Sequence, residues 1–444
     1  MIEQLRSAGD QLRAAWDNYC RVYSSIKSYQ TSRKAPHADA FPAEFSRQLD
    51  TELAFISSYQ SKIQEIKAAI GHVRNYTPSL VSINTLPPEI LTRIFQLVLV
   101  LSCDLHAISF DEGQYHPTYP DYLAQVCVLW RRTTISCYSL WCRIYLWPYE
   151  PYYEGLPTRA DRHVARAGNL PIELRVAENL LGGLERKFPD YIHLHEIVSP
   201  ISDRVETLEI FVSESFRGLH GYVFKTLLLS QQSSLKKLVI CSGPYCVAFI
   251  HARGSGESDD ENDEFGLNLT ENQLENAFAP LKVLHLHGVF PLWSGVAYHG
   301  LVDLRLLLGA ECWPCIERVE LITILKSSPR LRILHVELAL LDWTPNTEQL
   351  APVHLPDLQV VRVVLNIGEG LNSCSGVLQL LAPGSRPLRL SFGGSYEPDS
   401  VLVAEWERFF VRARVARFYT SGAFPPMNVL LRHAAHLELV VFDN

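Results

Sequence analysis

The chain has 444 residues, enough for about three domains or for one extended repeat array. Hydrophobic residues make up 47% and charged residues 20%, which is too apolar for a disordered chain and too charged for a membrane bundle. Forty basic against 48 acidic side chains leave a net charge of −8, so there is no global pull towards nucleic acid or an anionic membrane.

No stretch of ~18 apolar residues occurs, so no transmembrane helix is expected. Near the N-terminus Glu3, Arg6, Asp10 and Arg13 interrupt any apolar core that a signal peptide would need. Ten scattered cysteines are far below disulfide-scaffold density, and reduced thiols in the cytosol or nucleus are the expectation.

The first segment, 1–76, reads as two helices. Leu5, Leu12, Tyr19 and Ile26 recur every seven residues, and Pro36 and Pro42 then interrupt the pattern. From about Ala43 to Val73, apolar residues including Leu49, Leu53, Ile56, Ile63, Ile66 and Ile70 form a single helical stripe. A short connection favours an antiparallel hairpin, either packed within the chain or used for dimerisation or partner docking.

Next, Thr85 is placed to cap a helix whose first turn holds Pro88 and Glu89. Ile90, Leu91, Ile94 and Phe95 give that helix a wide apolar face, extended by Val98. After a Tyr/Pro/Asp-rich loop over about 102–120, a second helix is expected from Asp121, with Leu123, Val126, Cys127 and Trp130 at helical spacing before Arg131 and Arg132. The segment closes with Leu140, Trp141, Ile144 and Leu146.

These three blocks, over 83–147, resemble the F-box, the helical module of substrate receptors in cullin-RING ubiquitin ligases. The family pattern is Leu-Pro-x-Glu-x-Leu-x-x-Ile-Phe, then Leu…Val-Cys…Trp-Arg, then Leu-Trp-x-x-Ile-x-Leu. It is met by Leu86, Pro87, Glu89, Leu91, Ile94 and Phe95; by Leu123, Val126, Cys127, Trp130 and Arg131; and by Leu140, Trp141, Ile144 and Leu146. The long loop between the first two blocks departs from the pattern and resembles inserts of fungal F-box proteins.

The remainder, 158–444, repeats the pattern L-x-x-L-x-L. Clean matches are Val205-Leu208-Ile210, Leu235-Leu238-Ile240, Leu281-Leu284-Leu286, Leu301-Leu304-Leu306, Leu331-Leu334-Val336 and Leu358-Val361-Val363. Weaker copies sit at Ile172, Leu388, Val415 and Leu437. Helical stretches are expected at Leu219 to Ser230, Ile316 to Ser327, Val377 to Ala382 and Val401 to Val411, with Pro280 and Pro329 ending helices before strands. A strand plus a helix every ~20–30 residues is the leucine-rich-repeat signature. The irregular spacing resembles the leucine-rich repeats of F-box proteins. The expected fold class is thus α/β: a helical hairpin and helical module, then a solenoid with parallel strands. An acidic Gly/Ser insert at 253–264 is too polar to order itself, and its Ser258, followed by Asp259, Asp260 and Glu261, is either an acidic-directed phosphorylation site or part of a solvated loop.

Chemical motifs are few. Cys312-Trp-Pro-Cys315 has the thioredoxin-type spacing, but it sits in the repeat region rather than in the fold such chemistry needs. Cys241 and Cys246 are too loosely spaced for a convincing zinc pair. Arg408, Arg412, Arg414 and Arg417 cluster, as at the basic end of a helix. There is no Gly-rich phosphate loop, no G-x-S-x-G and no His-Glu-x-x-His, and neither a cofactor nor a metal is implied.

What the resemblance implies is binding rather than catalysis. Leu86, Pro87, Ile90, Leu91, Ile94, Phe95, Val126 and Trp130 would dock a Skp-type adaptor and, through it, a cullin. An unidentified protein target would meet the strand residues Glu209, His285, His287, Arg305, His335, Glu337 and Arg362. Neither nucleic acid nor membrane is expected as a partner. The alternative is an interaction scaffold in which the F-box-like helices only cap the repeat array.

Overall fold

A computed structural model describes residues 2–32, 43–76, 81–101, 120–146, 155–177, 196–212, 219–229, 234–242, 248–253, 265–307, 315–341, 351–365, 375–394, 400–422, 425–433 and 436–443. The chain divides into two units, 1–81 and 82–444. The acidic insert from 254 to 264, with Ser258, lies outside the described residues, as does most of the loop between the first two F-box-like blocks.

The first unit holds two long helices, α1 (Ile2–Ser32) and α2 (Ala43–Tyr76). The Tyr19 hydroxyl donates across to Glu52 Oε2 at 3.3 Å. Both helices keep their apolar residues at the surface: Leu12 is 62% exposed, Leu53 62% and Ile66 58%.

The second unit opens with a 3-10 turn (Ser82–Thr85) and α3 (Pro88–Leu101). Thr85 does not serve as the cap. Its hydroxyl donates back to the Ser82 carbonyl, and the Pro87 carbonyl accepts the Ile90 and Leu91 amides instead. The helix expected from Asp121 is two helices, α4 (Pro120–Val126) and α5 (Val128–Ser136). Cys127 breaks them apart. It is extended (φ −158°, ψ 172°), and its thiol accepts the Trp130 amide as an N-cap.

Strand β1 (Arg143–Leu146) follows, then α6 (Leu156–Ala167) and β2 (Ile172–Ala177). From there, strands and helices alternate through β3 (Val205–Val212), α7 (Leu219–Leu229) and β4 (Lys237–Ser242). Two short strands, β5 (Ala248–Ala252) and β6 (Gly266–Leu267), precede α8 (Glu271–Phe278), β7 (Val283–His287), β8 (Val289–Pro291) and β9 (Asp303–Leu307). Next come β10 (Cys315–Glu317), α9 (Arg318–Ser327), β11 (Ile333–Val336), β12 (Ala339–Leu341), β13 (Val353–Leu355) and β14 (Val360–Leu365). The described chain ends with α10 (Ser375–Gln379), β15 (Leu381–Pro383), β16 (Leu388–Gly394), α11 (Ser400–Arg412), β17 (Val415–Gly422), α12 (Met427–Arg432) and β18 (Leu439–Asp443).

Eleven strands form one parallel sheet in the order β1-β2-β3-β4-β7-β9-β11-β14-β16-β17-β18, so neighbours in the sheet follow one another along the chain. The other strands pair in parallel as β10 with β12, β13 with β15, and β5 between β6 and β8. The L-x-x-L-x-L residues explain this order. One row of fully buried side chains runs in register through Leu174, Leu208, Leu238, Leu284, Leu304, Leu334, Val361 and Leu390. A second row, two residues on, runs through Val176, Ile210, Ile240, Leu286, Leu306, Val336, Val363 and Phe392. Alternate residues of each strand share a face, so both rows point to the same side. The first leucine of the pattern (Leu235, Leu281, Leu301, Leu331, Leu358) turns the chain into the strand and is also buried.

Consecutive units are stitched by backbone as well as by apolar contact. Ser328 has no exposed surface. Its hydroxyl donates to the Tyr298 carbonyl at 2.6 Å and accepts the Leu301 amide at 2.9 Å. Ser328→Ala leaves both backbone groups buried and unpaired, which costs about 1–3 kcal/mol. The expected outcome is a lower denaturant midpoint with an unchanged slope, read by urea unfolding of the full chain; an unchanged midpoint contradicts this account.

Candidate functional site

The candidate docking residues fall on helix α3, on Leu86 and Pro87 just before it, and on the two helices beside it. α3 has a polar stripe of Glu89, Thr92, Arg93 and Gln96, and the rest of its first three turns is apolar. Leu91, Phe95 and Leu99, at i, i+4 and i+8, form its inner stripe and are at most 5% exposed. They build a second core with Leu123, Leu140, Trp141 and Ala167, against which Ile83, Leu86 and Trp130 pack. The outer stripe is Ile90, Ile94, Leu97 and Val98, of which Ile90 is 49% and Leu97 46% exposed. Ile94 and Leu86 are half-buried, Pro87 is exposed, and Val126 at the end of α4 is 53% exposed.

The eight sequence-derived docking residues therefore divide. Pro87, Ile90, Ile94 and Val126 offer surface to a partner. Leu91 and Phe95 offer none and Leu86 is half-buried against the same core, so what these three do is hold the module together. Trp130 is half-buried; its ring lies 4.8 Å from Phe95, and its Nε1–H donates to Asn84 Oδ1 at 3.0 Å, which ties α5 to the turn before α3. Leu97 is part of the outer stripe but not of the quoted motif, and only the helical period could have found it.

The base of the module is where it meets the sheet. Trp141 is fully buried, and its Nε1–H donates to the Thr134 carbonyl at 2.8 Å. The Arg166 guanidinium sits 4.2 Å from the Trp141 ring centroid, and His163 meets the ring edge-on at 5.1 Å. His163 Nδ1–H donates to the Arg143 carbonyl at 2.8 Å, joining α6 to the first residue of β1. Burial pushes the His163 pKa down to about 4, against a smaller upward effect of that hydrogen bond.

The seven candidate target residues share one face of the sheet. Glu209, His285, Arg305, His335 and Arg362 lie in a single register row, with Val239 completing it; His287 lies two residues further along β7, and Glu337 just past the end of β11. Much of this face is internally neutralised. Glu209 is buried between Arg175 at 3.0 Å and Lys237 at 3.2 Å. Glu173 bridges Arg143 at 2.8 Å and Arg175 at 2.5 Å. Asp303 Oδ2 lies 3.0 Å from His285 Nε2 and accepts from Arg305 at the same distance. Burial alone would raise the Asp303 pKa, but hydrogen bonds from His285 and Arg305 hold it below its usual value. Burial lowers the His285 pKa, and burial with nearby Arg305 lowers that of His335 to about 4. Arg362 is the most open of the set, 52% exposed and 3.5 Å from Glu337. Asp303, Arg175, Glu173 and Lys237 were not in the sequence-derived set. Each is a charged residue alternating with the buried leucines, which is the signal that marks them.

Cys312 lies outside the described residues, and Cys315 begins β10, three residues before α9. Burial pushes the Cys315 thiol up, opposite to the activated thiolate of an oxidoreductase. Among the described residues no group of His, Cys, Asp and Glu is arranged to hold a metal, and no helix is long and apolar enough to cross a membrane. The four clustered arginines are dispersed. Arg408 pairs with Glu405 at 2.7 Å, Arg412 donates to the Leu378 and Leu381 carbonyls, and Arg414 and Arg417 are exposed.

No protein-family model matches the chain, and a search of curated proteins finds no relative.

The neutral histidines give a pH signature. His163 takes a proton near pH 6.5 when unfolded but only near 4 when folded, so protonation favours the unfolded chain. Its contribution is complete above pH 6.5 and is lost as pH falls towards 4. Between pH 7 and 5 this amounts to on the order of 2 kcal/mol, with His335 acting in the same direction. His163→Gln keeps a donor and does not titrate, and is expected to flatten the stability difference between pH 7 and 5. Denaturant titrations at both pH values check it, and an unaltered difference would refute the assignment.

Proposed function

We propose that the chain is the substrate-recognition subunit of an SCF-type cullin-RING ubiquitin ligase. In this reading residues 83–147 are an F-box that docks a Skp-type adaptor, and the parallel strands with their helices are an irregular leucine-rich-repeat solenoid that presents a protein target. The ligase chemistry belongs to other subunits, and this chain contributes proximity. The observation that carries the reading is the double stripe of α3. Beside its polar stripe of Glu89, Thr92, Arg93 and Gln96, the helix buries one apolar stripe, Leu91, Phe95 and Leu99, in its own module and leaves the other, Ile90, Ile94, Leu97 and Val98, at the surface. That is the form of an amphipathic helix waiting for a groove, with i, i+4 and i+7 anchors. The motif residues and the L-x-x-L-x-L strands support it independently.

A scaffold reading has its own observation. β1, the last block of the F-box-like segment, is the first strand of the eleven-stranded sheet. Trp141 and Ala167 join the module core, so the module covers one end of the sheet, as terminal repeats require.

Adaptor binding separates the two readings. Ile90→Asp with Val126→Asp changes only exposed positions, where substitutions usually stay within about 0.5 kcal/mol of wild-type stability. Co-purification with a Skp-type adaptor is expected for wild type and at least ~30-fold weaker for the double variant, the loss of a hot-spot contact. Circular dichroism should be the same for both. If wild type fails to bind, the module is a cap and the scaffold reading takes its place. Leu91→Asp is unsuitable here, because it puts a charge into the module core.

A further inference from the structure

Three exposed arginines stand together on the polar face of the sheet, one each on β14, β16 and β17. Arg389 and Arg417 are register partners on neighbouring strands. Arg362 is the partner of Ser391, two residues past Arg389, and so lies diagonal to Arg389. Neighbouring strands run ~4.8 Å apart, which brings the three side chains into one patch.

Elsewhere on this face the cations are closely matched. Arg175 lies between Glu173 and Glu209, Lys237 reaches Glu209, and Arg305 forks onto both oxygens of Asp303. In the patch the carboxylates are fewer and further off. Glu337 is 3.5 Å from Arg362. Glu438 is 3.9 Å from Arg417, and both of these side chains are more than half exposed to water. Asp443 is in register with Ser421, four residues along β17 from Arg417 and so ~13 Å away. Arg389 has no carboxylate partner among the described residues.

Like charges directly opposite on neighbouring strands repel, yet Arg389 and Arg417 stand so. Arg389 is also held in place: its guanidinium lies 4.4 Å from the Tyr419 ring centroid. Stacking uses the flat side of a guanidinium and leaves its N–H edge open. Open N–H forks side by side match carboxylates, which accept two parallel hydrogen bonds each, and an anion between them removes the repulsion. A nucleic acid binds through many phosphates at once, which a chain of net charge −8 opposes. A short run of carboxylates needs only the patch.

We propose that Arg362, Arg389 and Arg417, with Tyr419, bind an acidic segment of a protein partner, its Asp or Glu carboxylates seated between neighbouring guanidinium groups. This rests on the target-presenting half of the proposed function and gives that target a chemistry; it does not depend on the adaptor.

The full-length chain is the material for the test. A fluorescein-labelled oligoglutamate peptide is the probe, and fluorescence anisotropy the readout. Wild type is expected to bind it, and less tightly as salt is raised. Arg389→Glu/Arg417→Glu is expected to bind at least ~10-fold more weakly. Both positions are exposed, so circular dichroism should not change. Lys326→Glu/Arg330→Glu makes the same change in net charge at exposed positions in and just after α9, and should bind as wild type does. Equal weakening of the two variants, or a wild type that ignores the peptide, overturns the proposal. A labelled thymidine oligonucleotide of equal charge is the second probe, and tighter binding to it overturns the peptide assignment in favour of nucleic acid. Adaptor co-purification reads the other half of the proposed function separately. A wild type that binds the adaptor but not the peptide overturns this inference and leaves the F-box reading standing.

Discussion

The parallel sheet rests on a single constraint: no strand can bury its aliphatic side chains alone. Leu304 and Leu306 are covered because Leu284 and Leu286 lie on one side and Leu334 and Val336 on the other, in register. Slipping any strand by one residue would turn its leucines out and its charges in. The same register decides what the opposite face can be. Arg175 stands beside Glu209, and His285 beside Arg305 and diagonal to Asp303, because the leucine rows fix the register of neighbouring strands. The polar network is a consequence of the apolar one.

That dependence separates what could be read along the chain from what could not. The strands were legible because the pattern of three apolar residues in six needs no partner to be recognised. The helices over 219–229, 318–327 and 400–412 lie within a few residues of their expected places. The stretch from Val377 to Ala382 was legible only in part, since a short helix ends at Gln379 and β15 takes Leu381 to Pro383. Helix α8 was missed, although Thr270 and Gln273 carry the signal in a capping box that the structure forms in full. The break at Cys127 had no such signal, because a cysteine is a weak cap and the flanking residues keep helical spacing. Ion-pair partners such as Asp303 require the register and cannot be paired from one strand alone.

Helix α3 shows a different limit. Where apolar residues cover two adjacent faces of a helix, the period no longer tells which of them is the inside. Leu91 and Phe95 look as good an anchor as Ile90 in the sequence. Only the packing of Trp130 on Phe95, and the core that Leu91 shares with Leu123 and Leu140, assigns the stripes. The residues most prominent in the motif are for that reason partly those that build the module, and the surface falls to their neighbours.

The two stripes also change how the competing readings relate. Capping the sheet uses Leu91, Phe95 and Leu99 through Trp141 and β1. Docking a partner would use Ile90, Ile94, Leu97 and Val98. These are adjacent faces of one helix, so neither role uses up the residues of the other. The opposite edge of the sheet makes the comparison sharper: in β18, Leu439 and Phe442 remain 42% and 45% exposed, whereas Ile144 and Leu146 of β1 are at most 1% exposed. The module end is therefore covered far more completely than the β18 end. A cap alone accounts for that cover, but it gives no reason for a second apolar stripe facing water on the same helix. That stripe is the part of α3 that the module's own core does not use.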